Sequence, residues 1–200
     1  MSNPHLRAVI FDLDGTLVDS RLDFVAMRRE LSAPAGIGLL EHVESLPAAD
    51  ARDQAMAVIH RHEIAGAQAA TWVPGAEHTV HTLYQRDIPI AIVTRNSRRA
   101  ARLTMERLGM PPIPLKARED AAPKPDPEAL LALAAEWQLA PSHCAYIGDF
   151  RYDIEAAERA GMLPVLYIGS GELPVEHKGR VRVLRDFHAV SDWLIRPTPV

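Results

Sequence analysis

A chain of 200 residues that is 48% hydrophobic is long enough for one domain with a buried core, or for a core that carries a modest insertion. A formal net charge of −4 argues against nucleic acid as a partner, and no apolar stretch approaches membrane-spanning length. The single cysteine, Cys144, excludes an internal disulfide and fits a reducing compartment. Because the N-terminal residues show no signal-peptide pattern either, we expect a cytoplasmic protein that binds neither nucleic acid nor a membrane.

The first predicted element is a buried parallel strand that ends in acids. An apolar run at residues 8–11 leads directly into Asp12-Leu13-Asp14-Gly15-Thr16. Side chains two apart along a strand point the same way, so Asp12 and Asp14 can reach one volume. In open α/β sheets, ligands bind outside the carboxyl ends of the strands. Taken alone, this stretch is compatible with a ligand site, with a hairpin turn at Asp14-Gly15, or with a solvated loop.

The next stretch predicts helices only. Apolar residues recur at helical spacing over residues 24–31 and 37–46, and an alanine-rich segment over residues 48–70 predicts a third, longer helix. No strand is predicted between Ser20 and Thr71. We therefore expect a helical insertion, residues 20–72, standing over the carboxyl edge of a core domain formed by residues 1–19 and 73–200.

From Val73 onwards, predicted strands alternate with predicted helices. Strands are expected at residues 89–93, 113–116, 145–147, 164–168 and 181–184, and helices at residues 76–86, 97–108, 126–137, 151–160 and 187–195. Asp126 is expected to be the N-cap of its helix, with Pro127 at the first helical position, and Asn96 fits the N-cap of an earlier helix. The proline-rich tail, residues 196–199, is expected to fray.

This alternation is typical of a parallel sheet joined by right-handed crossovers. The predicted fold class is therefore α/β: a Rossmann-like three-layer α/β/α core with a parallel sheet, plus a small all-helical insertion after the first strand.

Residues suited to phosphate or to a metal follow the predicted strands. Thr94 offers a hydroxyl, and Lys124 is held between two prolines that restrict the backbone. Asp149 follows a later strand, and Asp153 lies one helical turn further on. Each has an ordinary structural alternative, which is local capping for Thr94, a solvated loop for Lys124 and favourable helix N-terminal charge for the two acids.

Taken together, the aspartates predict a metal site. Asp12, Asp14, Asp149 and Asp153 at one sheet edge would repel one another strongly without a cation. Oxygen ligands with few other donors nearby favour Mg²⁺ over zinc. A carboxylate in such a site can attack phosphorus to give an aspartyl-phosphate, which water then cleaves.

These motifs resemble those of the haloacid dehalogenase-like hydrolase superfamily, nearest its phosphoglycolate-phosphatase-like branch. Four motifs carry the resemblance: Asp12-Leu13-Asp14-Gly15-Thr16, Thr94 at a strand end, Lys124-Pro125-Asp126-Pro127, and Gly148-Asp149 with Asp153. The resemblance implies that Asp12 is the nucleophile and Asp14 the general acid/base, while Thr94 and Lys124 contact the phosphoryl group. It also implies that the helical insertion is a cap.

The same resemblance implies Mg²⁺ as the cofactor. Asp12, the backbone carbonyl of Asp14, and Asp149 would hold the ion, with Asp153 as a direct ligand or as support for the others. Two features depart from the family pattern. Family members often have Asn directly after the motif threonine, whereas Arg95 stands there in this chain. Arg95 either touches substrate or points to solvent, and we expect the second. The cap is also shorter than is usual in this branch.

The expected function is that of a Mg²⁺-dependent phosphomonoesterase acting on a small phosphorylated metabolite through an aspartyl-phosphate. A sugar-phosphate mutase of the same superfamily is an alternative because both classes use the aspartate pair. A phosphate-binding module without turnover is a second alternative, which the intact nucleophile, acid and lysine disfavour. Dehalogenases of the family that the chain resembles lack the second acid of the pair. Asp14 supplies that acid here, which argues against a dehalogenase.

Overall fold

The computed structural model describes residues 6–177 and 179–195, so the predicted fraying of residues 196–199 lies outside the described residues. Numbered in chain order, the strands are β1 (Ala8–Phe11), β2 (Val18–Asp19), β3 (Thr71–Trp72), β4 (Ile90–Val93), β5 (Leu115–Lys116), β6 (Cys144–Gly148), β7 (Leu163–Tyr167) and β8 (Arg182–Leu184). The helices are α1 (Phe24–Glu30), α2 (Leu39–Ser45), α3 (Ala49–Ala69), α4 (Ala76–Gln85), α5 (Arg98–Arg107), α6 (Glu128–Glu136), α7 (Arg151–Ala160) and α8 (His188–Ile195).

A six-stranded sheet in the order β5-β4-β1-β6-β7-β8 forms the centre of the fold. Each pair of neighbouring strands in it runs parallel. Ile10 of β1 pairs with Ala91 of β4 on one side and with Tyr146 of β6 on the other. The acidic loop after β1 therefore leaves the middle of the sheet, between the loops that follow β4 and β6.

Helices cover both faces of this sheet, and the pleat of β1 explains how. Val9 and Phe11 are fully buried in one apolar cluster with residues of α4 and α8, whereas Ala8 and Ile10 face a second cluster with residues of α6 and α7. Successive side chains of a strand point to opposite faces, so a strand apolar at every position must be covered twice. The predicted three-layer α/β/α fold is confirmed.

The helices α1–α3 share an apolar cluster of their own. Its buried members are Met27, Val43, Ala55 and Ile59. The longest of the three, α3, also packs against α5 of the sheet region. In the part of the chain that the structure describes, no helix is both long and apolar enough to cross a bilayer.

The two strands that flank this helical segment, β2 before α1 and β3 after α3, pair as a short antiparallel ribbon. The sequence did not predict this ribbon. Val18 of β2 pairs with Trp72 of β3, and Asp19 pairs with Thr71. The indole of Trp72 donates to the carbonyl of Leu108, just beyond α5, at 3.2 Å. Strands of two residues carry no hydrophobic period, so pattern analysis has no signal for them.

Two predicted helix starts are wrong by one or two residues. α6 begins at Glu128 with Pro127 as its N-cap, and Asp126 instead accepts a hydrogen bond from the Glu128 backbone N–H at 2.9 Å. α5 begins after Ser97, whose hydroxyl accepts from the backbone N–H of Ala100. Asn96 is therefore not the N-cap, and its side chain is used elsewhere.

Candidate active site

The carboxyl ends of β1, β4 and β6 open into a cavity of about 520 Å³ between the sheet edge and the helices α1–α3. All six residues predicted for the site line this cavity: Asp12, Asp14, Thr94, Lys124, Asp149 and Asp153. Their convergence follows from the topology, because the carboxyl ends of parallel strands meet at one edge.

Lys124 joins the nucleophile candidate to the helix that follows β6. Its Nζ donates to Oδ1 of Asp12 at 2.7 Å and to Oδ1 of Asp153 at 2.6 Å. All three side chains are nearly inaccessible to solvent. Burial alone would lower the pKa of Lys124, but the two carboxylates outweigh it, so the pKa is raised and the ammonium stays charged.

The carboxyl groups of this edge are short of positive charge. Burial raises the pKa of Asp12 well above its usual range, and Asp153 and Asp149 add to the rise while Lys124 opposes it. Asp149 is exposed as a residue, but desolvation of its carboxyl group beside the other acids, and next the charge of Asp153, raise its pKa to about 6. A cation bound between these carboxyl groups would lower their pKa values and so favour the ionised form.

Three of the aspartates form a group that could hold such a cation. One carboxylate oxygen from each of Asp12, Asp149 and Asp153 lies within 4.8 Å of the other two. All the donors are hard oxygens, which fits Mg²⁺ or a similar divalent ion. The carboxyl group of Asp14, also predicted as a metal residue, is not in this group; only its backbone carbonyl was expected to bind the ion.

Two glycines make room for these carboxylates. A Cβ at Gly15 would overlap the carboxylate of Asp149, and a Cβ at Gly148 would overlap that of Asp153. Gly15 also has a φ of +83°, in the left-handed region that side chains disfavour. The donor set can therefore close only because neither position has a side chain.

Asp14 is held apart from the other acids. Its Oδ2 accepts a hydrogen bond from Nδ2 of Asn96 at 3.0 Å, while its Oδ1 is buried and has no partner among the described residues. Burial raises the pKa of Asp14; the nearby polar groups of Ser20 and Asn96 oppose that rise, and the charge of Glu63 adds to it. A carboxyl group with a raised pKa can stay protonated and act as an acid.

Thr94 lies at the end of β4 with its hydroxyl in a local contact. Its Oγ1 accepts from the backbone N–H of Asn96 at 3.0 Å, and the side chain is buried. A hydroxyl that accepts still has its own proton to donate. Thr94 can therefore hold the loop in place and also donate to a phosphoryl oxygen in the cavity.

The interpretation of Arg95 as a solvent-facing residue is wrong. Its guanidinium pairs with Glu41 of α2 and lies 4.8 Å from the centre of the Tyr152 ring. Nearby, Arg118 donates to both carboxylate oxygens of Glu63 in α3, at 2.6 and 3.2 Å. The two ion pairs tie the helices α1–α3 to the loops after β4 and β5, directly beside the site.

Sequence reasoning missed the roles of Asn96, Glu41, Glu63 and Arg118. A polar residue just after a strand end was an available signal for Asn96, but its neighbour Ser97 and the following helix favoured a capping role. Glu41 and Glu63 each lie more than fifty residues from their arginine partners along the chain. No local pattern indicates pairs at that separation.

Comparisons with known proteins agree with this geometry. The family model described as haloacid dehalogenase-like hydrolase matches residues 6–161. A haloacid dehalogenase-like hydrolase domain-containing protein of Arabidopsis thaliana is 30% identical, over 83% of this chain and 72% of its own length. A phosphoglycolate phosphatase of Rhodospirillum rubrum is also 30% identical, over 96% of this chain and 92% of its own.

A solved structure shows the same architecture. The crystal structure of a hydrolase from Pseudomonas syringae has a TM-score of 0.74 and 26% identity, over 93% of this chain and 96% of that one. The resemblance stated from the motifs is confirmed by these matches. With the family model covering most of its length, this chain belongs to the haloacid dehalogenase-like hydrolases.

Proposed function

We propose that the protein is a Mg²⁺-dependent phosphomonoesterase that acts on a small organic phosphate through an aspartyl-phosphate on Asp12. The observation that carries the proposal is the buried contact between Lys124 and Asp12, in a cavity that also holds Asp14, Asp149 and Asp153. The phosphatase name of the R. rubrum relative supports the reaction class. The cavity volume suits a small ester.

In the first step, a carboxylate oxygen of Asp12 attacks phosphorus and the bond to the ester oxygen breaks. The departing oxygen takes the proton of Asp14, so that the product leaves as an alcohol. In the second step, Asp14 takes a proton from water as this water attacks phosphorus, the bond between phosphorus and the Asp12 oxygen breaks, and inorganic phosphate is released. Asp12 is then restored, and Asp14 is protonated again for the next cycle.

Lys124 and Thr94 act on the phosphoryl oxygens in both steps. The Lys124 ammonium is charged and already beside Asp12, and its two carboxylate contacts fix its direction. Asp12, the backbone carbonyl of Asp14, and Asp149 would hold Mg²⁺, with Asp153 holding Lys124 in place or joining the ligands. When bound, the ion supplies positive charge that offsets the charge of the phosphoryl oxygens.

We further propose that residues 20–72 act as a cap domain on a core formed by residues 1–19 and 73–200. Support comes from the separate apolar cluster of α1–α3 and from the β2–β3 ribbon at both ends of the segment. The ion pairs Arg95–Glu41 and Arg118–Glu63 would hold this cap over the cavity. A closed cap excludes water and contacts the leaving group.

The test is Mg²⁺-dependent release of inorganic phosphate from a panel of phosphate esters by the wild type and by Asp12→Asn. The wild type should release one phosphate per ester cleaved, which separates a phosphatase from a mutase. Asp12→Asn should retain less than about one per cent of this activity, since no nucleophile remains. Asp186, an exposed acid just before α8, gives the matched control Asp186→Asn, which should stay fully active. If Asp12→Asn retained more than about one per cent of wild-type activity, the assignment of Asp12 as nucleophile would be contradicted.

A further inference from the structure

We infer that the cavity accepts phosphate esters of uncharged, apolar alcohols, and that Phe24 and Phe150 determine this specificity. The inference rests on the proposed function and names a substrate class for the same site. The two phenylalanines line the cavity together with apolar side chains of the proposed cap, and we call this set the leaving-group subsite. Its other members are Leu22, Met27, Leu39, Leu40 and Ile59.

The geometry of phosphoryl transfer directs the leaving group into this subsite. The attacking oxygen of Asp12 and the departing ester oxygen lie roughly in line, on opposite sides of phosphorus. Asp12 directly follows β1 at the sheet edge, and the cavity extends from that edge to the helices α1–α3. The leaving group of an ester attacked by Asp12 therefore points away from β1 and toward the cap.

The two phenylalanines of the subsite are exposed, although the other two of the chain are fully buried. Phe24 and Phe150 are 58% and 54% exposed, whereas Phe11 and Phe187 lie in the core. Phe24 begins α1 and Phe150 directly precedes α7, so one ring comes from the cap and the other from the sheet region. Apolar surface that stays in water inside a cavity favours an apolar ligand that would cover it.

Local structure gives no reason for a phenyl ring at position 150. Phe150 is the N-cap of α7, with φ and ψ of −123° and 159°. Ser, Thr, Asp and Asn are preferred at such a position because their side chains accept a hydrogen bond from the start of the helix, which a phenyl ring cannot do. The ring makes a T-shaped contact with Tyr152, yet more than half of the residue stays exposed. Contact with substrate supplies a reason that helix stability does not.

The arginines that line the cavity beyond Lys124 are already engaged. Arg95 pairs with Glu41, and Arg118 donates to both carboxylate oxygens of Glu63. The other two arginines of the lining make exposed local contacts, Arg21 with Asp19 and Arg28 with the carbonyl of Pro34. A carboxylate on the leaving group would thus meet two protein carboxylates that already hold the nearest cations, which disfavours it.

A series of alkyl phosphates tests the apolar part of the inference, because ethanol, propanol and butanol are leaving groups of nearly equal acidity. Burying one methylene changes affinity about fourfold, so kcat/KM of the wild type should be at least about tenfold higher for butyl than for ethyl phosphate. 2-Phosphoglycolate is similar in size to propyl phosphate but carries a carboxylate. Its kcat/KM should be at least about tenfold lower than that of propyl phosphate.

Phe150→Ser removes the ring and supplies the side-chain cap that α7 lacks. Its butyl-to-ethyl ratio of kcat/KM should fall below about threefold, while Tm should stay equal or rise. Tyr84→Ala is the matched control, since Tyr84 is an exposed aromatic residue of α4 outside the cavity lining, and it should keep the wild-type ratio. Phe24→Ala is a second variant in case Phe150→Ser does not fold, as judged by circular dichroism, and should show the same reduced ratio.

Glu41→Gln tests the part of the inference that concerns charge. It keeps the shape of Glu41 but removes the negative charge beside Arg95. The kcat/KM for 2-phosphoglycolate should rise about fivefold, while that for propyl phosphate should not rise. Glu44→Gln, the same change at an exposed position of the same helix, is the matched control and should leave both values unchanged.

Three results would overturn the inference. The first is a wild type that prefers 2-phosphoglycolate to propyl phosphate, and the second is a wild type without dependence on alkyl chain length. The third is an unchanged butyl-to-ethyl ratio in both phenylalanine variants, which would assign the rings to stability. A wild type inactive on all these esters and on 4-nitrophenyl phosphate would instead contradict the proposed function, and with it this inference.

Discussion

A methyl group added at Gly15 should disable the metal site, whereas the same change at Gly36 should only strain the backbone. The two glycines have nearly equal φ angles, +83° and +84°. A Cβ at Gly15 would overlap the carboxylate of Asp149, while a Cβ at Gly36 has nothing within 4 Å. The pair therefore separates backbone strain from displacement of a ligand.

Strain at a left-handed position costs about 1–2 kcal/mol for a residue with a Cβ. In a domain of this size, each kcal/mol lowers Tm by about 2–4 °C, so Gly36→Ala should lose roughly 2–8 °C and keep its activity. Gly15→Ala should show the same strain and in addition push the Asp149 carboxylate away. Disturbing a group that supplies or supports a metal ligand weakens metal binding roughly ten- to a hundredfold.

Isothermal titration of Mg²⁺ into each metal-free protein measures this difference directly, and phosphate release measures its consequence. We expect normal Mg²⁺ affinity for Gly36→Ala and at least about tenfold weaker affinity for Gly15→Ala, with activity lost in proportion. If Gly15→Ala bound Mg²⁺ as tightly as Gly36→Ala does, Asp149 would not be a ligand and the reasoning would be refuted.

Three further predictions concern the acid, the buried ion pair and the acidic cluster. Asp14→Asn should reduce turnover of ethyl phosphate much more than that of 4-nitrophenyl phosphate, and equal losses would remove Asp14 from the acid role. Arg118→Ala should lower the free energy of unfolding, measured in urea, by about 3–5 kcal/mol, because it leaves buried Glu63 without its partner. Adding Glu63→Gln should recover part of this loss. If the losses of the two single variants simply added, the ion pair would be contradicted. The pKa of Asp149 is raised to about 6, so the stability linked to it is full below about pH 4 and lost as pH rises through about 6. The Tm of the metal-free protein, relative to that of metal-free Asp149→Asn, should thus fall between about pH 4 and 6. Mg²⁺ should restore more of this Tm at about pH 7 than at about pH 5, and a Mg²⁺ effect independent of pH would contradict the link.

The sheet and the site edge were predictable because their signals are local. The run at residues 8–11 is apolar at every position, which is typical of a strand covered on both faces, and such strands alternate with amphipathic helices along the chain. Once the strands are parallel, the topology alone brings the residues after them together. This is why Asp12, Thr94 and Asp149 could be placed at one edge without coordinates, whereas Lys124, eight residues beyond β5, was placed there by the motif resemblance.

What could not be predicted depends on contacts between distant parts of the chain. Asn96 lies just before a helix, where a polar residue is common, so the sequence gives a local reason for it. Its hydrogen bond to Asp14, 82 residues earlier, is visible only in the structure. The local sequence around Arg95 does not indicate its partner, because Glu41 lies in a separately predicted helix. The ribbon of β2 and β3 is too short to show a period, although it fixes where the helical segment leaves and rejoins the sheet region.

Covalent attack by Asp12 is the central claim, and reductive trapping tests it most directly. The Asp14→Asn protein, in which release of the intermediate is slowed, is mixed with Mg²⁺ and 4-nitrophenyl phosphate, quenched in acid and treated with borohydride. Borohydride reduces an aspartyl-phosphate to homoserine, which peptide mass spectrometry locates. The account predicts homoserine at position 12 only when the ester is present. Turnover with unmodified Asp12, or modification at another aspartate, would contradict it.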